Sequence, residues 1–500
     1  MSGRGRRPTA GAILFATLLL GACTAVGPDH RRPDVAVPLA YREADPWREA
    51  TPRDDISKGA WWEFFDDPVL NDLQARAQAG NVRLQAAAAR VDQARALSGL
   101  ARAGSMPVLE LAPDVARYRV SENRPDQPSK VPGNEAYTTD RFRLPLIAAY
   151  EVDLWGRLAR QREGAQARLE ASQAAYHTVL LTLQGEVAQT YFSMRAREEE
   201  LRILTDNLDI RRKSHAIVEA RRRNGLATEF DVARVDAELA LTESELQAVR
   251  RQRAELEHAL AVLLGEPPAA FTLAAAGAKP TLPVVPLGLP SDLLERRPDV
   301  AEAERLLAAR NADIGVAQAA FFPSIRLTGS LGFESADLSD LLDTDSFIWG
   351  IAGGLVQPLF DGGRLRANRD RVEAAWRENL AGYRERLLVA FREVEDALAA
   401  VRYLDAQQEA LSRASARAHR AEQLAGARYR AGLVTVLEVV DAQRSRLQAE
   451  RQYNAVWNQQ LLASVALVKA LGGGWEARPT GAPDLRAVSQ LGDAEQGAVR

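Results

Sequence analysis

The sequence predicts an α+β membrane protein made of two tandem structural repeats, each of which joins a β-hairpin to a long helical hairpin. Three observations lead to this prediction. Glycine-marked segments recur 207 residues apart, each copy contains a very long stretch without proline, and each copy contains short segments in which apolar and polar residues alternate. Self-similarity at a fixed offset indicates a duplicated architecture rather than two unrelated domains.

The duplication keeps its register over much of the chain. The segment ending at Pro107 parallels the one ending at Pro323, and the polar, proline-rich stretch 121–136 of the first copy is expected to be an exposed loop. Three pairs of glycines are separated by 207 residues in the sequence: Gly156 and Gly363, Gly225 and Gly432, and Gly265 and Gly472.

The N-terminus is typical of an exported lipoprotein. Arginines at positions 4, 6 and 7 precede the run AGAILFATLLL, which is too short to span a membrane but suits a signal peptide over residues 1–22. The run ends in LGAC, and Cys23 is the only cysteine. This pattern resembles a bacterial lipobox, so we expect Cys23 to be the first mature residue and to carry lipid, palmitate included. Thr24 favours delivery to the outer membrane. The alternative is an ordinary signal peptide followed by a chance cysteine.

The proline-free part of each copy predicts a helical hairpin. Apolar residues in the second copy recur at steps of three, four and seven, which indicates a long amphipathic helix with a coiled-coil-like seam. At about 1.5 Å per residue each long helix would extend roughly 100 Å. Shorter helices are expected at 82–103 and 299–320, and Asp67-Pro68 supplies the cap and first residue of another. The expected members of the two hairpins are 157–224 with 229–264, and 364–430 with 436–471.

Segments with a period of two lie between these helices and predict four β-strands, in hairpins at about 108–155 and 324–360. One face of the segment RFRLPLIAAYEVDLW is apolar and the other is largely polar, which is typical of a membrane β-barrel strand. A half-buried soluble sheet would give the same alternation. Four strands cannot enclose a lumen, and open edges are not tolerated in lipid. We therefore expect a homotrimer with a twelve-stranded barrel. The apolar face consists of Phe142, Leu144, Leu146, Ala148, Tyr150, Val152 and Leu154.

Composition argues against other classes of protein. The net charge is −3 and no basic stripe is interleaved with aromatics, so no nucleic-acid partner is expected. The five histidines show no metal-ligand spacing, the glycines do not form a phosphate-binding loop between a strand and a helix, and no pair of carboxylates stands apart as an acid–base couple. We expect neither a catalytic site nor a metal or cofactor.

The sequence resembles the outer-membrane factor family, the TolC-like superfamily of tripartite efflux and type I secretion systems. The similarity covers about residues 23–473 and is closest to the lipoprotein branch that serves RND-type multidrug efflux. The segments that carry it are VGPDHRRP after the lipobox, WWEFFDDPVLNDL (61–73), LPSDLLERRPDVAEAERLLAARNADIGVAQAAFFPSIRLTGSLG (289–332), LFDGGRLRA (359–367) and YRAGLVTVLEVVDAQRSRLQAE (429–450).

The resemblance implies an outer-membrane exit duct, in which a barrel continues into a periplasmic helical tunnel. The partners it implies are a periplasmic adaptor (membrane fusion) protein, an inner-membrane RND-type transporter and outer-membrane lipid. It also implies that irregular segments wrap the middle of the tunnel as an equatorial band. The expected division is a signal peptide (1–22), a lipid-anchored segment (23–60), the first repeat (61–265), an equatorial linker (266–290), the second repeat (291–473) and an equatorial tail (474–500).

The same resemblance assigns roles to residues at the turns of the two helical hairpins. The turns become the periplasmic tips that meet the adaptor, formed by Asn224, Gly225, Leu226, Ala431, Gly432 and Leu433. Beside the second tip, Arg428, Tyr429 and Asp441 match positions that hold such tunnels shut, and Leu437 matches an apolar constriction ring. Asp231 is the weaker counterpart in the first copy. These residues could instead decorate solvated helix ends.

Two functional alternatives to drug efflux remain open. One is a type I secretion duct, which would use the same architecture for protein cargo. The other is a lipid-anchored periplasmic coiled-coil scaffold without a pore.

Overall fold

The computed structural model describes residues 25–35, 38, 41–44, 60–122, 136–275, 280, 282 and 297–473. Several predictions from sequence lie wholly or largely outside these residues. They concern the signal peptide 1–22, the lipid attachment at Cys23, the loop 121–136, the later part of the linker 266–290 and the tail 474–500.

Helices account for most of the described chain, and the same succession occurs twice. In the first copy they are α1 (Pro68–Gly80), α2 (Val82–Ala103), α3 (Arg157–Arg223) and α4 (Glu229–Leu264). In the second copy they are α5 (Pro298–Ala319), α6 (Arg364–Arg430) and α7 (Val436–Ala470). The long helices α3 and α6 each contain 67 residues. The described helices include none that is long and apolar enough to cross a membrane.

The helix boundaries follow local chemistry that the sequence already indicated. The carboxylate of Asp67 caps α1 by accepting hydrogen bonds from the backbone N–H groups of Val69 and Leu70, at 3.0 and 3.2 Å. Pro68 occupies the first turn, where a missing N–H costs nothing. Gly265 ends α4 in the left-handed region, with φ of 77°. A Cβ on Gly265 would lie 2.1 Å from the carbonyl oxygen of Gly80, so a glycine is required there.

The strands form one antiparallel sheet in the order β1-β3-β4-β5, where β1 is Val108–Leu111, β3 is Tyr137–Val152, β4 is Ser324–Ser335 and β5 is Phe347–Val356. The segment 108–120, predicted as one strand, is interrupted at Ala112-Pro113. Its second half, β2 (Asp114–Val120), pairs with the outer part of β3. Because proline has no backbone N–H to donate, the ladder breaks there and resumes.

The predicted apolar face is confirmed by the strand register. Leu146 lies opposite Leu331, which in turn lies opposite Trp349, so that apolar side chains run across three strands on one face. The opposite face carries charges. Arg143 lies 2.9 Å from Glu334, and Arg141 lies 3.2 Å from Asp114.

Two compact units make up the chain, and each draws on both repeats. Of the described residues, the first unit comprises 25–34, 90–122, 136–172 and 303–383 and contains the whole sheet. The second comprises the described residues within 35–89, 173–302 and 384–473. The core of the second unit is built on aromatic contacts. Phe65 packs against Phe192 with 4.7 Å between ring centroids, and the Tyr191 hydroxyl donates to Asp67 at 2.6 Å.

We predict that the two faces of β4 differ in their tolerance of charge. Replacing Leu331 by arginine should cost about 2–4 kcal/mol of stability in a bilayer, because it places a charge on the apolar face. Replacing the neighbouring Ser330 by arginine should cost much less, since Ser330 lies on the polar face. The measurement is the amount of folded protein extracted from membranes. Equal losses for the two variants would contradict the assignment of the faces.

Candidate functional site

The two helical hairpins turn with the same backbone geometry. Gly225 and Gly432 lie in the left-handed region, with φ of 73° and 76°. The N–H of Leu226 donates to the carbonyl of Arg221, and the N–H of Leu433 donates to that of Arg428, both at 2.9 Å. This hydrogen bond across the glycine is the signature of a Schellman motif, which needs a residue that tolerates positive φ. The tip residues predicted from sequence therefore form two equivalent turns.

The helices that leave the two turns begin differently. Thr228 and Asp231 form a reciprocal capping box at the start of α4, with hydrogen bonds of 2.9 and 3.2 Å. The equivalent Thr435 makes no side-chain capping hydrogen bond at the start of α7. Asp231, a predicted gate residue, therefore uses its carboxylate to cap α4. The first tip has a hydrogen-bonded cap that the second lacks.

Both tips expose a pair of apolar side chains at the same relative positions. Leu226 and Phe230 are 72% and 70% exposed, and their counterparts Leu433 and Leu437 are 70% and 41% exposed. Each pair is four residues apart. Leu437 was predicted from the sequence and Phe230 was not, although the two positions are related by the offset of 207. These exposed apolar side chains are available for contact with another molecule.

The predicted gate residue Tyr429 is buried rather than solvated. It packs with Val218, Val235, Val436, Val439 and Val440 in an apolar cluster that joins the two hairpins. The guanidinium of Arg221 lies over the Tyr429 ring, 4.5 Å from its centroid. This cation–π contact links α3 to α6. Arg221 was not predicted, since nothing in its local sequence distinguishes it from the neighbouring arginines.

The predicted gate residues Asp441 and Arg428 are not brought together within the chain. Asp441 instead lies 4.0 Å from Arg234, its counterpart at the offset of 207. Arg428 is exposed, and among the described residues it forms no ion pair. The ion pair between Arg234 and Asp441 joins α4 to α7, and both side chains are partly exposed.

A stronger electrostatic contact lies next to this pair. The carboxylate of Glu238 on α4 is buried and accepts hydrogen bonds from Arg211 on α3, at 2.5 Å, and from Arg444 on α7. Burial alone would raise the pKa of Glu238. The hydrogen bonds from Arg444 and Arg211, together with the charges of these two arginines, lower the pKa by more than burial raises it, so the pKa lies below its ordinary value. These three residues, which sequence analysis missed, connect both repeats.

Within the described residues, no group of histidine, cysteine, aspartate and glutamate side chains is arranged to hold a metal ion. What the geometry does provide is two matched turns with exposed apolar side chains, beside charged contacts between helices of different repeats. Together with a two-faced sheet, such duplicated hairpins define a channel-type outer-membrane protein.

The chain belongs to the outer membrane efflux protein family, whose model matches residues 73–266 and 289–473. The pyoverdine export outer membrane protein OpmQ of Pseudomonas putida is 38% identical over 418 residues, which is 83% of this chain and 88% of that protein. The outer membrane protein OprJ of Pseudomonas aeruginosa is 35% identical over 477 residues, 94% of this chain and 97% of that protein.

The fold agrees with solved structures of outer-membrane channels. The outer-membrane channel OprN superposes with a TM-score of 0.84 at 31% sequence identity, over 90% of this chain and 99% of that one. The family is therefore one of efflux channels, and the duplicated α+β fold predicted from sequence is confirmed.

We predict that Glu238→Gln destabilises the helices near the tips by about 3 kcal/mol, because it leaves the buried Arg211 without a countercharge. The folded-state pKa of Glu238 is depressed, so its contribution is present above the ordinary pKa of 4.5 and is lost as the pH falls through the lower folded value. Thermal unfolding at pH 7 and at pH 3 measures both effects.

The matched control is Glu243→Gln. Glu243 lies on the same helix and forms an exposed ion pair with Arg212 at 3.2 Å, so its loss should cost about 1 kcal/mol or less. Similar unfolding temperatures for the two variants at pH 7 would show that the Glu238 contact is not special.

Proposed function

We propose that this protein is the outer-membrane exit duct of a tripartite RND-type efflux pump and exports small molecules, drugs among them. The observation that carries the proposal is the pair of matched tips. Two turns with equivalent backbone hydrogen bonds and with exposed apolar side chains at equivalent positions are suited to repeated contacts with a partner made of similar repeating units. A homotrimer would present six such tips.

The two-faced sheet supports a pore in the outer membrane. An apolar face turned to lipid and a charged face turned to a lumen match the pattern of membrane β-barrels. Three copies would supply the strands of a closed twelve-stranded barrel, and a lipid on Cys23 would add a second attachment. In this proposal the protein catalyses no reaction and needs no cofactor.

The partners would be a periplasmic adaptor that meets the tips and an inner-membrane RND-type transporter. The cargo is proposed only as a class. The relatives are named for pyoverdine export, for solvent and toluene efflux and for antibiotic efflux. A type I secretion duct would share the tips and the sheet, and it differs in cargo rather than in any residue described above. A scaffold without a pore fits poorly with the charged inner face of the sheet.

We predict that the variant Leu226→Ser/Leu433→Ser loses adaptor binding and efflux, because it removes the most exposed apolar side chains of both turns. Adaptor pull-down and drug susceptibility of a complemented deletion strain measure the two effects. The matched control is Leu388→Ser, which removes an equally exposed leucine, 69%, from the body of α6. Full efflux by the double variant, or secretion of a protein instead of drug export by the wild type, would refute the proposal.

We predict that Asp441→Asn raises single-channel conductance in a planar bilayer several-fold. Asp441 is proposed to help close the tunnel, and the variant weakens its attraction to Arg234. Glu438→Gln is the control, since it removes an exposed carboxylate three residues away that has no ion pair within the described chain. The gate assignment is wrong if both variants conduct like the wild type while folding normally.

A further inference from the structure

Large apolar side chains lie at the junctions between the strands and the helices. After β5, Leu359 and Phe360 are 95% and 93% exposed, and three residues separate them from α6. After β3, Trp155 stacks on Phe322 with 4.7 Å between ring centroids. Aromatic and large apolar side chains at the ends of membrane strands are typical of the interface between hydrocarbon and headgroups.

Exposed arginines lie at three of these junctions. Arg102 is in the last turn of α2, before β1, while Arg162 is near the start of α3, after β3. Arg364 and Arg366 begin α6, after β5. Among the described residues, none of these four side chains forms an ion pair or a side-chain hydrogen bond. We call them the arginine collar.

The carboxylates near the collar are already engaged. Asp153 accepts hydrogen bonds from the first N–H groups of α3, and Asp361 does the same for α6. Glu151 pairs with Arg157 at 2.7 Å, and Glu163 pairs with Arg160 at 2.7 Å. Arginines in the first turns of a helix oppose its dipole, so Arg364 and Arg366 do not serve helix stability. Asp361 lies close enough to Arg364 to interact with its charge, but among the described residues no carboxylate forms an ion pair with any of the four collar arginines.

The segment that leads from the predicted lipid site docks at the same junctions. Residues 25–30 lie beside them as a strap, in which the N–H of Val26 donates to the carbonyl of Trp155 at 3.0 Å. Arg160 donates to the carbonyl of Gly27 at 3.1 Å, and Asn311 donates to that of Pro28 at 2.7 Å. Ala25 thus lies against Gly156, and the predicted lipid site Cys23 is two residues earlier.

We propose that the arginine collar binds the phosphates of anionic phospholipid headgroups in the leaflet next to the helices. The apolar residues at the junctions and the docked strap set the level of the hydrocarbon boundary, and the four guanidinium groups meet the headgroups beyond it. Guanidinium groups bind phosphate with paired, charge-assisted hydrogen bonds, which gives them a preference for anionic over zwitterionic lipid. This inference rests on the proposed function only in that the sheet is taken to span a membrane.

The test is the thermal stability of the purified protein in detergent, measured with added phosphatidylglycerol or with equimolar phosphatidylcholine. Wild-type protein should gain stability with phosphatidylglycerol alone, and the gain should shrink in high salt because the contact is electrostatic. Inorganic phosphate at the same concentration should give no gain, which separates a lipid surface from a free anion. The variant R102Q/R162Q/R364Q/R366Q should bind phosphatidylglycerol about tenfold or more weakly.

The matched control is R250Q/R384Q/R417Q/R420Q, which removes the same charge from exposed positions on α4 and α6 far along the chain from the strands. It should keep the wild-type response. A wild-type protein that responds equally to both lipids would overturn the proposal, and so would a collar variant that keeps the phosphatidylglycerol gain. Either result, with efflux intact in the complemented strain, would leave the proposed function standing.

Discussion

The constraint on which the rest of the structure depends is the pair of open edges of the sheet. Within the described residues, β5 forms one edge, and β1 and β2 form the other. Each unpaired backbone group in hydrocarbon costs several kcal/mol, so a sheet of this kind is stable in a bilayer only when its edges pair with further strands. In the proposed homotrimer, identical chains supply those strands around a closed ring. The same proposal accounts for the matching lengths of the long helices in the two repeats.

Duplication gives the two hairpins the same backbone but leaves their side chains free to differ. The turns at Gly225 and Gly432 keep identical hydrogen bonds because only a residue that tolerates positive φ can end these helices so sharply. Beyond the turns the copies diverge. The first uses Thr228 and Asp231 to cap α4, whereas the second places Asp441 opposite Arg234. The first tip has a local cap that the second lacks, and the contact between Arg234 and Asp441 joins the helices of both tips.

Sequence periodicity predicts what depends on neighbouring residues, and it fails for contacts between distant ones. Helix ends, the apolar face of β3 and the cap at Asp67 follow from spacing and residue type. The break of a predicted strand at Pro113 carried a signal that was overlooked, since proline cannot donate to the ladder. Glu238 gave no such signal, because its partners are 27 and 206 residues away on other helices. Only packing reveals which arginines reach it.

The two electrostatic contacts beside the tips differ in strength for a physical reason. Arg234 and Asp441 are partly exposed and 4.0 Å apart, so water competes for both charges and the pair contributes about 1 kcal/mol or less. Glu238 and Arg211 are both less than a tenth exposed, and separating them would leave a buried charge uncompensated. Breaking the contact at Asp441 therefore costs little free energy. Separating Glu238 from Arg211 costs much more, and Arg444, which also binds Glu238, lies three residues after Asp441 on α7. Of the two contacts beside the tips, the one at Asp441 is therefore the easier to break.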